Sequence, residues 1–361
     1  MCKHFIYLRV NDPFQIILTM MRSRQVTIKD IAKRLGISPS TVSRALKDHP
    51  DISYNTRKAV QELAQILGYK PNEVALSLRT SQSKIIGVIV PEIVHHFFSS
   101  IISGIEEVAN EAGYYVMIFQ TNESYKKELV YSQTLISSRI DGLIVSFSKE
   151  TTDFEHFNTF VKNNIPIVLF DRVTDDLEAD KVLSDDVKGA FLITEHLIQQ
   201  GYRRIAHYGS PDYMNISQSR LKGYKNALEK YNIPFDKDLV FKCDTHEDSI
   251  KLTQKIFSEK NHPDAVFAVN DLTATGVIVA LRKTGLRVPE DVAVAGYTNA
   301  LVSKIVDPPL STVDQHGYEM GQEAARMLLH RLRKRNSETP FETRIVKTNL
   351  VIRESTIKNN K

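Results

Sequence analysis

The sequence predicts a fold in two parts: an all-α helix-turn-helix headpiece, then an α/β core built from two doubly wound parallel sheets. Three observations carry this. Short, well-capped helices crowd the front of the chain, and beyond it β-branched runs alternate with amphipathic stretches. Charge is also divided between the parts. Residues 22–80 hold 11 Lys/Arg against 5 Asp/Glu, a net of +6 in a chain whose total is +4. The rest is therefore mildly acidic, and an anionic partner is expected at the front end only. At 361 residues the chain is long enough for two or three domains. Cys2 and Cys243 are too few for a disulfide framework, which makes a reducing cytoplasm the simpler compartment. No uncharged apolar run approaches the ~18 residues of a membrane span.

Residues 1–21 form an N-terminal extension. Its apolar runs FIYLRV and FQIILTM are split by Arg9, Asp12 and Pro13, and no small-residue cleavage site follows, which argues against a signal peptide. A disordered tail, a short packed arm and a start assigned too early all remain open; Met20 and Met21 directly precede the first recognisable element. Residues 22–71 then form the headpiece. Thr27 stands at an N-cap with Asp30 three residues on, and Ile28, Ile31, Ala32 and Leu35 fall on one face. Gly36 ends this helix and permits a tight turn. Ser38 caps the next, with Pro39 at its first position, where no donor is missed. Ser53 or Asn55 opens a third helix, with Val60, Leu63, Ala64 and Leu67 inward and Gly68 at its end.

The middle helix carries the chemistry. Ile37, Val42 and Leu46 face inward and Ala45 permits close packing, which leaves Ser40, Thr41, Ser43, Arg44 and Lys47 outside. Short hydroxyl side chains allow a helix backbone to sit deep in a major groove. Arg44 can fork to guanine O6 and N7, and Lys47 can reach base or phosphate. Helix, tight turn, helix and a supporting helix make a helix-turn-helix DNA-binding unit.

The run from Val26 to Thr80, with TVSRAL followed by GYKPN, resembles the headpiece of the LacI/GalR family of transcriptional repressors without a gap. The resemblance implies that the helix from Pro39 to Lys47 enters the major groove. Pro39 and Ser40 stand at its groove-facing start, and Thr41, Ser43 and Arg44 contact bases or phosphates. Thr27 and Asn55, at the starts of the flanking helices, complete the expected DNA-facing set. Residues 72–83 are expected to form a hinge helix and linker. The segment from Asn72 to Arg79 has helical composition but is too short to be stable alone. In the family such a helix folds on the operator. There Leu78 would wedge into the minor groove and kink the duplex, with Arg79 beside it.

From Lys84 the period changes. KIIGVIV, YYVMIF, DGLIVSF, IPIVLF, RRIAHYG, DAVFAV and DVAVAGY alternate with amphipathic stretches such as Phe98–Ala112, Val187–Gln200 and Leu272–Thr284. Strands and helices in alternation give parallel sheets, whose ligands sit at the carboxyl ends of strands or in a cleft between lobes. No GxGxxG follows a strand and no GxxxxGK[ST] occurs, so nucleotide-binding enzymes lose support. The histidines show no metal-ligand spacing, and His95-His96 is read as loop. No catalytic residue, metal or cofactor is expected.

The resemblance runs on to about Glu354 and implies a core (residues 84–355) like that of periplasmic sugar-binding proteins. Two lobes would be joined by three crossings: lobe 1 from 84–183 and 315–342, lobe 2 from 184–312 and 343–355. Candidate effector contacts stand where strands end. Phe97 and Phe98 could stack on a sugar ring; Asp171, Arg172, Arg220, Asn270, Asp271, Thr298 and Gln315 could serve its hydroxyls. Each has a plainer use: Asp171 and Arg172 as an ion pair between lobes, Asn270 and Asp271 as a helix cap. One departure matters. Sugar-responsive members carry an acid after DVAVAGY, where this chain has Thr298 and Asn299, which weakens the case for an ordinary aldose. Met214 stands where purine-sensing relatives place an arginine, which argues against a purine corepressor. A sugar, sugar acid or oligosaccharide fragment is the best effector class.

The implied mechanism is linkage: the effector closes the lobes, and the hinge helices gain or lose their operator-bound geometry. A homodimer on double-stranded DNA predicts a pseudo-palindromic operator. The chain ends at Lys361 soon after the last strand, without heptads, so no coiled-coil tetramerisation helix is expected. A solute-binding protein would share the core but lack the headpiece. A sugar-processing enzyme would need a paired acid and base, for which Asp171 and Asp271 are the available carboxylates.

Overall fold

The computed structural model describes residues 26–69, 82–334 and 339–358. The proposed hinge helix with Leu78 and Arg79, and the extension 1–21, lie outside the described residues. The chain divides into two units between Ser83 and Lys84.

The first unit is three helices: α1 (Ile28–Leu35), α2 (Pro39–Ala45) and α3 (Tyr54–Ile66). Each begins as its sequence requires. At α1 the Thr27 amide and hydroxyl both donate to Asp30 Oδ2, at 2.8 and 2.6 Å. At α2 the Thr41 amide donates to Ser38 Oγ at 3.1 Å. Ser53 rather than Asn55 caps α3, accepting from the Thr56 amide at 3.3 Å. Caps of this kind each stabilise by about 1 kcal/mol. Gly36 ends α1 at φ 65°, the left-handed region where glycine has no Cβ to clash. The buried core is Ile31, Ala32, Val42, Ala45, Val60 and Ala64.

The second unit begins with β1 (Ile85–Val90), α4 (His96–Glu111), β2 (Tyr115–Gln120), α5 (Tyr125–Ser137), β3 (Gly142–Val145), α6 (Asn158–Lys162), β4 (Ile167–Phe170) and β5 (Asp180–Ser184). It continues with α7 (Asp186–Gln199), β6 (Ile205–Gly209), α8 (Asn215–Lys230), β7 (Val240–Lys242), α9 (His246–Ile256), β8 (Ala265–Ala268), α10 (Asp271–Lys283), β9 (Ala293–Ala295) and α11 (Val302–Ile305). It closes with β10 (Thr312–Asp314), α12 (Gly317–Arg333), β11 (Thr343–Val346) and β12 (Asn349–Val351). One sheet has the order β11-β5-β4-β3-β1-β2 and the other β7-β6-β8-β9; every pairing in both is parallel.

Each sheet has an apolar cluster on either face, which is why strands such as IIGVIV read as unbroken apolar runs rather than alternating ones. In lobe 1, α4 and α12 approach closely through glycine. A Cβ on Gly104 would lie 2.1 Å from the Tyr318 carbonyl oxygen, and one on Gly321 2.0 Å from that of Ile101.

The chain passes between lobes three times: from β5 to α7, from β10 to α12, and from β11 to β12. The expected lobe boundary at 343 is corrected here. Thr343–Val346 extends the first sheet by pairing with Asp180–Ser184, so lobe 1 runs to Val346. Its outward residues Thr343, Arg344 and Ile345 are exposed, as suits an edge strand, and polarity alone did not show which sheet it would join. β10 and β12 pair antiparallel as a two-stranded ribbon at the crossings.

Candidate nucleic-acid interface and ligand cleft

In the first unit, burial splits α2 along its length. Val42 and Ala45 are fully buried, while Pro39, Ser40, Arg44 and Lys47 are exposed and Thr41 and Ser43 half-buried. The hydroxyls of Ser40 and Thr41 gather on Ser38 Oγ, at 2.8 and 2.7 Å, which gives the helix start a compact polar surface. Among the described residues, Arg44 and Lys47 have no side-chain partner and are available to a ligand. Asn55 is exposed in the first turn of α3. Thr27 is half-buried and its hydroxyl is spent on Asp30. A slim helix with a free guanidinium is suited to the edges of bases.

In the second unit, all nine sequence-selected residues line one cleft between the lobes, with about 720 Å³ of open space. Most arrive there because parallel sheets end their strands, and start the following helices, on the same side; Arg220 comes from within α8 and Gln315 from the crossing after β10. Asp171 is the first residue after β4, at φ 58°, a left-handed conformation that costs a non-glycine residue and is common at functional sites. Its carboxylate is buried and, among the described residues, accepts no hydrogen bond. Burial pushes its pKa up to about 6, although Arg172 and Arg220 nearby favour the ionised form. It is an acceptor without a donor, open to the cleft.

The other charges are matched within the protein. Arg172 does not pair with Asp171: its guanidinium forks to Glu123, at 2.6 and 3.0 Å, and donates to the Phe147 carbonyl at 3.0 Å. Arg220 donates from Nε to Asp186 at 2.8 Å and from Nη1 to the Val269 carbonyl at 2.7 Å, with its plane 4.0 Å from the Tyr297 ring centre. Lys149 pairs with Asp244 at 2.8 Å, one lobe to the other. The lobes also meet where Tyr213 donates to the Lys149 carbonyl at 2.6 Å, and Asn215 Nδ2 to the Asp171 carbonyl at 2.8 Å.

Several candidates serve the frame. Asn270 caps α10, accepting from the Thr273 amide at 2.8 Å and donating to the Asp244 carbonyl at 3.1 Å. Asp271 accepts from Thr312 Oγ1 at 2.6 Å and the Ala300 amide at 2.7 Å. Burial raises its pKa to about 7, against those two hydrogen bonds. Gln315 is buried and links Thr298 Oγ1, at 3.2 Å, to Ser184 Oγ, at 3.2 Å, across two of the crossings. Phe97 and Phe98 border the cleft but pack into the lobe 1 core, edge to face at 5.4 Å, with Arg172 over Phe98. Among the described residues no group of His, Cys, Asp and Glu could hold a metal ion, and no helix is long and apolar enough to cross a membrane.

Comparison with known proteins accounts for both sites together. Residues 27–72 match the model of bacterial regulatory proteins of the lacI family, and residues 194–356 that of a periplasmic binding protein-like domain. The HTH-type transcriptional repressor PurR of Vibrio vulnificus is 32% identical over 339 residues, covering 92% of this chain and 99% of the relative. The chain belongs to the LacI family. It is a DNA-binding transcriptional regulator under effector control. Among solved structures, a lac repressor dimer bound to operator and an anti-inducer is similar at a TM-score of 0.81. It is 26% identical and covers 93% of this chain and all of that one. A CelR–cellobiose complex is similar at 0.69, with 28% identity over 92% of this chain and all of that one.

Within this LacI-family core, sequence reasoning missed Glu123, Lys149, Asp244, Ser210 and Ile216 as cleft residues, and set aside His95 and His96, which also line it. Part of the signal was available. Glu123 and Asp244 follow strands, as Asp171 does, and His96 opens α4. Their partners lie far away in sequence, so nothing local marked them out.

Proposed function

We propose that this LacI-family protein is a cytoplasmic repressor that acts as a homodimer on a pseudo-palindromic operator and binds a carbohydrate between its core lobes. The observation that carries the effector class is Asp171: a buried acceptor without a donor, in a cleft whose cations are already paired, suits sugar hydroxyls. α2 would read the major groove through Ser40, Thr41, Ser43 and Arg44, with Lys47 and Asn55 beside it. Leu78 and Arg79 would reach the minor groove from the hinge. Arg220, Asn270, Asp271, Thr298 and Gln315 would hold the cleft in shape around Asp171, while Phe97 and Phe98 wall one side. The exposed apolar residues Ile93, Val94, Tyr115, Ile118 and Val130 all fall in one stretch of lobe 1 and support a surface for a second copy. Regulation is favoured over catalysis because Asp271, the carboxylate that acid–base chemistry would pair with Asp171, has both oxygens committed to Thr312 and Ala300.

A thermal-shift screen of sugars and sugar acids, followed by operator binding with each hit, tests this. A ligand at 100 times its dissociation constant adds about 2.7 kcal/mol to stability. A sugar that raises the melting temperature and changes operator affinity is the expected result. If no sugar does either, the carbohydrate reading fails.

A further inference from the structure

His96, Phe97 and Thr298 at the edge of the cleft have a second face. Beyond these residues lies a second chamber, bounded also by Ser100, Asn299, Lys304, His316 and Tyr318, with about 650 Å³ of open space. His96, Phe97 and Thr298 border both chambers, so the two adjoin across these three residues.

Resting on the carbohydrate reading, we infer that the effector is a neutral oligosaccharide of two or more rings. One ring occupies the main cleft at Asp171 and the next lies in the second chamber against Tyr318 and His316. The polar groups of that chamber have capacity to spare. Lys304 is exposed and, among the described residues, has no side-chain partner. The Tyr318 ring is 40% exposed and its hydroxyl is likewise unpartnered. His316 stands 3.7 Å from Glu319 and 4.0 Å from Asp314, too far for good hydrogen bonds. An aromatic face beside free donors is what a sugar ring requires, with its apolar face and its rim of hydroxyls.

Charge decides against an acid. In the main cleft Arg172, Arg220 and Lys149 are each matched by a carboxylate of the protein, and Asp171 adds a negative charge. The second chamber holds one lysine, Lys304, and one aspartate, Asp314, whose carboxylate accepts from the His316 amide and Asn299 Nδ2, each at 2.8 Å. Thr298 joins the two spaces at φ 120°, an unusual conformation for a β-branched residue, held by its amide on the Val313 carbonyl at 2.7 Å. An acid at this junction would add a second negative charge beside Asp171.

Calorimetric titration of the full chain tests this, comparing glucose, galactose, xylose and glucuronate with cellobiose, maltose, lactose and xylobiose. At least one disaccharide is expected to bind more tightly than its component monosaccharide by about tenfold or more. Tyr318→Ala and Lys304→Ala should each erode that advantage and leave monosaccharide affinity and the melting temperature unchanged. Equal affinity for monosaccharide and disaccharide overturns the inference and leaves the carbohydrate reading standing, as does an advantage that survives both substitutions. Tightest binding of glucuronate overturns the neutral class. If none of the eight sugars binds, the carbohydrate reading falls and this inference with it.

Discussion

Arg44 and Asp171 are the two residues on which the proposed function rests, and the side chains of both are without a hydrogen-bond partner among the described residues. Arg44 projects from a helix whose opposite face is locked by Val42 and Ala45. Its truncation should cost about 1–3 kcal/mol of specific binding while non-specific binding persists. Anisotropy titrations with an operator and a scrambled duplex at one salt concentration would show this; an unchanged ratio removes Arg44 from base reading. Asp171 makes a prediction about pH. If its ionised form accepts sugar hydroxyls, effector affinity falls as the pH drops below about 6, and Asp171→Asn flattens that dependence. Stability has the opposite sign. Burial raises the folded-state pKa above that of the unfolded chain, so the group's favourable contribution is present at acid pH and is lost as pH rises through about 6. Urea unfolding of wild type and Asp171→Asn at pH 4 and pH 7 should show the variant gaining relative to wild type at the higher pH.

At the scale of elements, local chemistry settled nearly every boundary in the headpiece. Caps, a glycine stop and a first-turn proline act through neighbours three or four residues away, so the sequence displays them directly. In the core, alternation identified strands and helices but not their partners. β11 shows this best: its exposed side chains are compatible with an edge of either sheet, and only its pairing with β5 assigns it to lobe 1. The contact of α4 with α12 is equally non-local. Gly104 lies in the middle of a helix, where glycine costs up to about 1 kcal/mol relative to alanine, so it is there for packing. Gly104→Ala drives a methyl into the Tyr318 backbone and should destabilise the core by about 1–3 kcal/mol despite the better helix propensity. A variant as stable as wild type in urea would show that the two helices part without cost.

Across the whole core, the cleft is bridged by protein as well as shaped for a ligand. Lys149 to Asp244, Tyr213 to the Lys149 carbonyl and Asn215 to the Asp171 carbonyl all join lobe to lobe. A ligand can shift a two-state equilibrium only through its different affinity for the two states, and under the proposed lobe closure these bridges would set its starting point. The Lys149–Asp244 pair is partly shielded, with side-chain exposures of 26% and 15%, and is worth about 1 kcal/mol. Lys149→Met should therefore weaken effector binding severalfold and increase the radius of gyration in X-ray scattering. If both are unchanged, the pair does not help close the lobes.

The sequence by itself determined the kind of molecule. Capping spacing, a basic front end and the TVSRAL–GYKPN motif identified a DNA-reading headpiece, and strand-end positions together with the family resemblance selected nine residues that do border one cleft. These features are legible because helix caps act locally and parallel sheets place all their strand ends on one side. The tertiary structure decided what each of those residues is free to do. Asp171 is open because Arg172 turns to Glu123, and Asp271 is occupied because Thr312 and the Ala300 amide reach it. Partners that lie 29 to 49 residues apart in sequence leave no local trace; only folding brings their polar groups into range.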